Sequence, residues 1–436
     1  MFRHDPWSTV RHHRPTEGFF PAWLPARFVL ALLAVATSVA GLLNDFVYDD
    51  VPLIRDNLRV HGFAGWREIL TQPYWPPPFV ENLWRPLALL LAACEYTLGG
   101  GSPLVFRLVS YALYAAGTVA LYLLAFRLVR HRAAFAAVAL FAVHPVHVEA
   151  VALGVNQGEL VVGLIAAVMV ARYVEKRRGD GLAGADWLFL ATLYAIAALT
   201  KESGFVLPAL LVAAELLLVD GEPLRARAAR VGIGFAGLAT IGAGLLALRS
   251  SVLSGRLAGV TPNADLVGLS LSERIVTMLQ VVPQWGRLLI WPQRLQVDFA
   301  PGAFVLPTHV GAPELLGTVL IVLIVGAVVT ARRRAPVVSF GLAWCAIALL
   351  PVSNLVPTGI VLAERTLFLP SMGFLLAVAG IGEWIARLTL WPTRWIHRAL
   401  STVCVVLLVL GFVRSASRHS VWNSTHLRVE PARARP

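Results

Sequence analysis

The sequence predicts an all-α polytopic membrane protein with about eleven transmembrane helices and additional interfacial or re-entrant helices on the outer face. Its 436 residues are 57% hydrophobic and only 14% charged, with mean hydropathy +0.71, whereas soluble domains average roughly 45–50% apolar and about 25% charged. Apolar runs recur near the ~20 residues that a ~30 Å hydrocarbon core requires, beginning with Ala26 to Leu43. Backbone groups in lipid must pair within their own segment, so runs this long form a helix bundle, not the ~10-residue alternation of an outer-membrane barrel. The arginines and lysines behind the net charge of +12 lie in short clusters between these runs. That is the pattern of cytoplasmic loops, and it argues against a nucleic-acid partner.

Residues 1–26, with Arg3, Arg11 and Arg14, read as a cytoplasmic N-terminal segment. The run that follows ends in Asn44-Asp45 without a small-residue cleavage site, so the first helix is expected to be retained. Placing the clusters Arg127–Arg132, Arg172–Arg178, Arg225–Arg230, Arg332–Arg334 and Arg387–Arg398 inside fixes the alternation. The expected spans are 27–43, 105–126, 133–152, 159–174, 186–200, 203–219, 231–248, 314–330, 337–354, 366–386 and 399–413. Pro86–Leu98 and Ile275–Trp291 do not fit this alternation; they are read as interfacial or re-entrant, with Trp84, Trp285 and Trp291 as interface anchors. Residues 27–413 then form one membrane domain with long outer loops at 44–85 and 249–312, and 414–436 a short extracytoplasmic tail. Cys94, Cys345 and Cys404 lie singly in apolar stretches and read as packing residues.

Charged groups in or beside a bilayer cost roughly 2.5–3.5 kcal/mol each on insertion scales, so they call for a reason. On this topology they collect on the outer side. Asp49 and Asp50, after the first helix, offer a general base, ligands for Mg²⁺ or Mn²⁺, or a solvated loop that stops the helix. His144, His147 and Glu149 put three titratable groups into an apolar segment and point to a polar ligand at the rim; a zinc site would need further ligands. Gln157 and Glu159 occupy the next outer turn, as ligand contacts or as solvated residues. Lys201-Glu202 and Glu364-Arg365 are cation–acid pairs where no basic cluster is expected. Each is either an internal ion pair or a phosphate site, with the cation binding and the acid orienting it.

The order Tyr48-Asp49-Asp50, Leu83-Trp84-Arg85-Pro86-Leu87, His144-Pro145-Val146-His147-Val148-Glu149-Ala150-Val151, Thr200-Lys201-Glu202-Ser203, Pro351-Val352-Ser353-Asn354-Leu355, Ala363-Glu364-Arg365 and Leu369-Pro370-Ser371 resembles the transmembrane and tetratricopeptide-repeat O-mannosyltransferases, from about Gly41 to Trp422. The resemblance implies a C-type glycosyltransferase (GT-C) fold and a polyprenyl-phosphate sugar donor, with transfer to a protein or glycan hydroxyl on the extracytoplasmic face of the membrane, the plasma membrane in a bacterium. It further implies Asp49 or Asp50 as the catalytic carboxylate, His144, His147 and Glu149 lining the sugar pocket, and Lys201 and Arg365 holding the lipid phosphate. Two departures stand out. A Gly-Arg-Ala-Asp-like run usual in that family is replaced by Asn156-Gln157-Gly158-Glu159, which loses an arginine. The repeats have no counterpart in this sequence, so an acceptor contact made by them is expected from elsewhere or from a partner. A transporter or flippase of a lipid-linked or anionic solute is the rival class. It predicts ionisable groups at mid-membrane and two pseudo-symmetric halves, neither of which the sequence displays. An inactive scaffolding relative is a third reading, which the altered Asn156–Glu159 run favours mildly.

Overall fold

The computed structural model describes residues 25–79, 83–219, 223–255, 268–297, 310–356, 360–388 and 393–423. Of the segment expected to be the cytoplasmic N-terminus only residues 25–26 are described, and of the expected extracytoplasmic tail residues 414–423. Among the described residues there is no strand. The α-helices are α1 (Ala26–Ser38), α2 (Trp66–Thr71), α3 (Pro86–Gly99), α4 (Pro103–Leu128), α5 (His131–Ala142), α6 (Val148–Ala152), α7 (Gln157–Arg178), α8 (Gly184–Thr200), α9 (Leu207–Leu218), α10 (Leu224–Val252), α11 (Leu271–Ile290), α12 (Ala312–Ala331), α13 (Pro336–Leu349), α14 (Phe368–Leu388) and α15 (Thr393–Arg418).

Ten of the expected spans each overlap one of these helices and the span 133–152 overlaps both α5 and α6, but the helices are not equal. Six, around α4, α7, α10, α12, α14 and α15, are long and apolar enough to cross a bilayer by themselves, and α5 with the segment containing α6 makes a seventh if the bent pair is one span. The count of eleven is therefore not reached by length and composition alone, because α1, α8, α9 and α13 are short. The bend of 48° between α5 and α6 falls at His144-Pro145, where proline disfavours helical backbone in the residue before it and removes a donor.

Burial separates an inner set from a rim. The apolar window of α7 is 78% buried and that of α14 67%, against 17% for α10, 11% for α12 and 6% for α15. The exposed face of α12 is made of Leu315, Leu316, Val319, Val322, Leu323 and Val325, as suits a helix whose solvent is lipid. Inside, α13 and α14 meet backbone to backbone. A Cβ on Gly341 would lie 2.4 Å from the Ala377 nitrogen, and one on Gly373 2.6 Å from the Gly341 oxygen, the small-residue contact that brings membrane helices close.

The two unfitted stretches are helices, though two of their tryptophans differ from expectation. Trp84 is buried, donating Nε1–H to the Leu70 carbonyl at 3.0 Å, and Trp285 is buried with Val281 and Leu288 in a cluster that includes Val146 and Leu367. Only Trp291 of the three is exposed. Trp84 and Trp285 are thus packing residues, the first bonded to α2 and the second set beside Val146 and Leu367.

The basic clusters converge on one end of the bundle. Arg127 pairs with Glu175, Arg130 with Glu383, Arg177 with Glu215 and Arg387 with Glu383; Arg227 donates to the Glu215 carbonyl, and Arg334 borders one cleft with Val129 and Arg387. At the opposite end the chain leaving α1 meets the chain leaving α15, where the Asn44 amide donates to the His419 carbonyl at 2.9 Å.

Candidate active site

The loop after α1 turns on Tyr48, whose φ of 53° lies in the left-handed region; a bulky residue there costs of order 1–3 kcal/mol and persists only if its surroundings hold it. Asp50 supplies much of that hold. Its carboxylate, with no exposed surface, accepts from the backbone N–H of Val155 at 2.9 Å and Gly154 at 3.1 Å and from Arg107 Nη1 and Nη2 at 3.4 Å. Arg107 in turn donates to the Asp45 carbonyl at 2.8 Å. Burial pushes the Asp50 carboxyl up, opposed by the Arg107 charge and the two amides. The preceding residue, Asp49, stays half-buried and acts electrostatically on Arg365 and Tyr74.

Beyond the break at Pro145, α6 carries Glu149, which is buried. It accepts from the Arg365 backbone N–H at 2.8 Å and from the Arg365 guanidinium, a charge-assisted double contact. The Asn156 amide donates to the Glu149 carbonyl at 3.1 Å, so the turn into α7 is tied to the same point. At the start of α7, Glu159 pairs with Lys201 Nζ at 3.1 Å. Burial and the nearby charge of Arg85 push the Lys201 ammonium below its usual range, with Glu159 opposing. Next in the chain, Glu202 accepts from Arg85 Nε at 2.9 Å and Nη2 at 2.6 Å and from Arg249 Nη1 at 2.9 Å. Burial works against its charge, but Arg85 and Arg249 outweigh it and hold Glu202 well below the usual carboxylate range. Arg85 lies 5.1 Å from the Tyr74 ring, and burial pushes the Tyr74 hydroxyl up to about 12.

Asp49, Glu149, Glu159, Lys201, Glu202 and Arg365 thus gather at the end opposite the basic clusters. Four other expected residues face elsewhere. His144 uses Nε2 on the Leu289 carbonyl at 3.0 Å and Nδ1 on the Val146 N–H at 3.3 Å, joining the break to α11. His147 is buried against Phe141 and Phe368, with Nδ1 on Tyr114 Oη at 3.0 Å and Nε2 on Ser371 Oγ at 2.8 Å. With both nitrogens of each ring engaged, the two histidines join α4, α11 and α14 to the break. Gln157 turns inward to Glu95, the Phe106 carbonyl and Ser110. Glu364 has no exposed surface and pairs with Arg418 at 3.2 Å and the Gln296 N–H at 2.5 Å, so its carboxylate is held by α15 and makes no ion pair with the neighbouring Arg365 side chain. Among the described residues no three His, Cys, Asp or Glu side chains gather as metal ligands, and the Asp50 oxygens are occupied by Arg107 and backbone amides; the Asp49–Asp50 pair does not fit a Mg²⁺ or Mn²⁺ site.

Arg85, Arg107, Arg249 and Arg418 did not emerge as site residues from the sequence. Arg107 had a signal, a charge 20 residues ahead of the basic cluster that ends the same apolar helix. Arg85 lies within one of the quoted motifs but offered no partner to read.

The archaeal oligosaccharyltransferase AglB from Archaeoglobus fulgidus, solved in complex with an inhibitory peptide and a dolichol-phosphate, superposes with TM-score 0.50 at 14% identity over 91% of this chain and 55% of its own. A family model described as dolichyl-phosphate-mannose-protein mannosyltransferase matches residues 84–243, the stretch holding Arg85, Glu149, Glu159, Lys201 and Glu202. The protein O-mannosyl-transferase TMTC3 of Mus musculus is 25% identical over 416 residues, 88% of this chain and 45% of its own. TMTC4 of Homo sapiens is 26% identical over 471 residues, 96% and 62%. Tmtc1 of Drosophila melanogaster is 36% identical over 169 residues, 37% and 20%. The chain is a multi-pass membrane relative of the transmembrane and tetratricopeptide-repeat O-mannosyltransferases, as the order of its motifs implied. It spans about half the length of the relatives that it matches along most of its own.

Proposed function

We propose that this protein is a glycosyltransferase that moves a sugar, mannose first among candidates, from a polyprenyl-phosphate donor to an acceptor hydroxyl at the membrane face opposite the basic clusters. By the positive-inside rule that face is extracytoplasmic, which in a bacterium would be the outer side of the cell membrane. One observation carries the reading: a half-buried carboxylate, Asp49, lies within electrostatic reach of Arg365 at the end where Lys201, Arg85 and Arg249 also gather. Asp49 accepts the proton of the acceptor hydroxyl as its oxygen bonds to the anomeric carbon, and the bond from that carbon to the phosphate oxygen breaks. The leaving polyprenyl phosphate gains a negative charge, which Arg365 and Lys201 stabilise from positions already fixed by Glu149 and Glu159. Asp50 takes no proton in this scheme; it anchors the loop. The names of the relatives support the sugar and the acceptor class, and the peptide and dolichol-phosphate bound by the archaeal structure are chemically of the kind proposed here.

The test is transfer of labelled mannose from polyprenyl-phosphate mannose in membranes holding wild type or Asp49→Asn, with insertion and donor binding checked in both. Product from wild type alone supports both the reaction and its base. Equal turnover by the variant removes Asp49 from that role, and failure of wild type across a panel of donor sugars would overturn the reading.

A further inference from the structure

The short turn that ends α15, Arg418 to Trp422, packs into the candidate site from a position 375 residues along the chain from the first loop. On one side, the His419 carbonyl receives the Asn44 amide, and the His419 ring sits over Gly41 so closely that a Cβ there would lie 2.5 Å from Nδ1. Trp422, with no exposed surface, meets the left-handed Tyr48 edge-on at 6.5 Å and fills a cluster with Val47, Val148, Ala152 and Leu153. On the other side Arg418 donates to Glu364 at 3.2 Å and to the Leu295 carbonyl at 3.3 Å. The turn therefore touches the loop carrying Asp49, the helix carrying Glu149 and the residue preceding Arg365.

We infer that the Arg418–Trp422 turn is a positioning element that sets the separation between the Asp49 carboxylate and the Arg365 guanidinium. This rests on the reading of the site given under Proposed function. Neither residue need touch the reacting atoms. Trp422 acts through Tyr48, whose backbone conformation decides where the next residue points, and Arg418 acts through Glu364, whose chain continues directly into Arg365. The two arms make separable contributions. Loosening Tyr48 misplaces the base and lowers turnover, whereas loosening Glu364 misplaces the cation that meets the phosphate and weakens the donor complex.

The experiment compares the full chain with Trp422→Ala, Trp422→Phe and Arg418→Gln in nanodiscs, by donor kinetics and by amide hydrogen exchange. Trp422→Ala is expected to lower kcat about tenfold or more with little change in donor KM, Trp422→Phe to restore most of it, and Arg418→Gln to raise donor KM. Exchange should quicken at residues 45–50 in the first variant and at 363–367 in the last, with the inner helices unchanged. Unaltered exchange at both segments, a uniform rise over all helices, or a Phe variant no better than Ala would each overturn the inference. Should Trp422→Ala not insert, Trp422→Leu carries the same comparison. Absence of transfer by wild type would count against the glycosyltransferase reading alone, and exchange would still decide the brace.

Discussion

Asp49 and Asp50 are adjacent in sequence and opposite in surroundings, and substitution should separate them. Asp50→Asn leaves the Arg107 guanidinium buried without its counter-charge, a loss of about 3–5 kcal/mol for a pair of this kind; thermal unfolding in detergent is expected to drop by many degrees. Asp49→Asn should unfold close to wild type while losing transfer. A melting temperature for Asp50→Asn equal to that of Asp49→Asn would mean that the buried pair is not holding the loop. The sequence exposes both acids but not their difference, since the partner, Arg107, is 57 positions away and nothing local records it. The histidines were legible as unusual and not as structural, because their partners Leu289, Tyr114 and Ser371 come from other helices.

Between α8 and α9 the chain turns sharply on Lys201 and Glu202, and a pH dependence belongs to this turn. The Glu202 carboxyl is held below its unfolded value of 4.5. Its stabilising contacts with Arg85 and Arg249 are therefore fully present above about pH 4.5 and lost as pH falls through the lower folded value. Acid melts of wild type should show a loss of stability below that pH which is smaller in Glu202→Gln. Identical acid profiles for the two would show that the Arg85–Glu202–Arg249 cluster contributes nothing. A second element-level test concerns α13 against α14. Gly341→Leu forces a side chain into backbone only 2.4 Å away and should cost at least about 1–3 kcal/mol, seen as a lower midpoint or failed accumulation; a variant as stable as wild type would contradict the close crossing. Most helices were legible from apolar run length and flanking arginines. The α5–α6 bend was not, though His144-Pro145 marks it, because a span counted by hydropathy continues straight through a proline.

At the scale of the whole molecule, the ends of the bundle differ in charge and chemistry, and sidedness can be measured. An impermeant maleimide should label Leu58→Cys, 80% exposed in the first loop, in intact cells, and Lys176→Cys at the basic end only after permeabilisation. The reverse pattern would put the candidate site on the cytoplasmic side. The alternation of basic clusters along the sequence is what predicts this sidedness. Ion-pair partners were not readable, since Arg85, Glu202 and Arg249 come from three separate parts of the chain. One further consequence follows from helix length. The apolar segments Gly184–Thr200 and Pro336–Val352 extend only about 26 Å at 1.5 Å per residue, whereas α4 and α10, of 26 and 29 residues, reach about 39 to 44 Å. A bilayer around such a protein cannot match every segment at once. Beside α8, whose Leu188 and Phe189 are exposed, it must thin or let head groups dip inward, and that hydrophobic mismatch would bring the phosphate level of the outer leaflet down towards the depth of Lys201, which follows the last residue of α8.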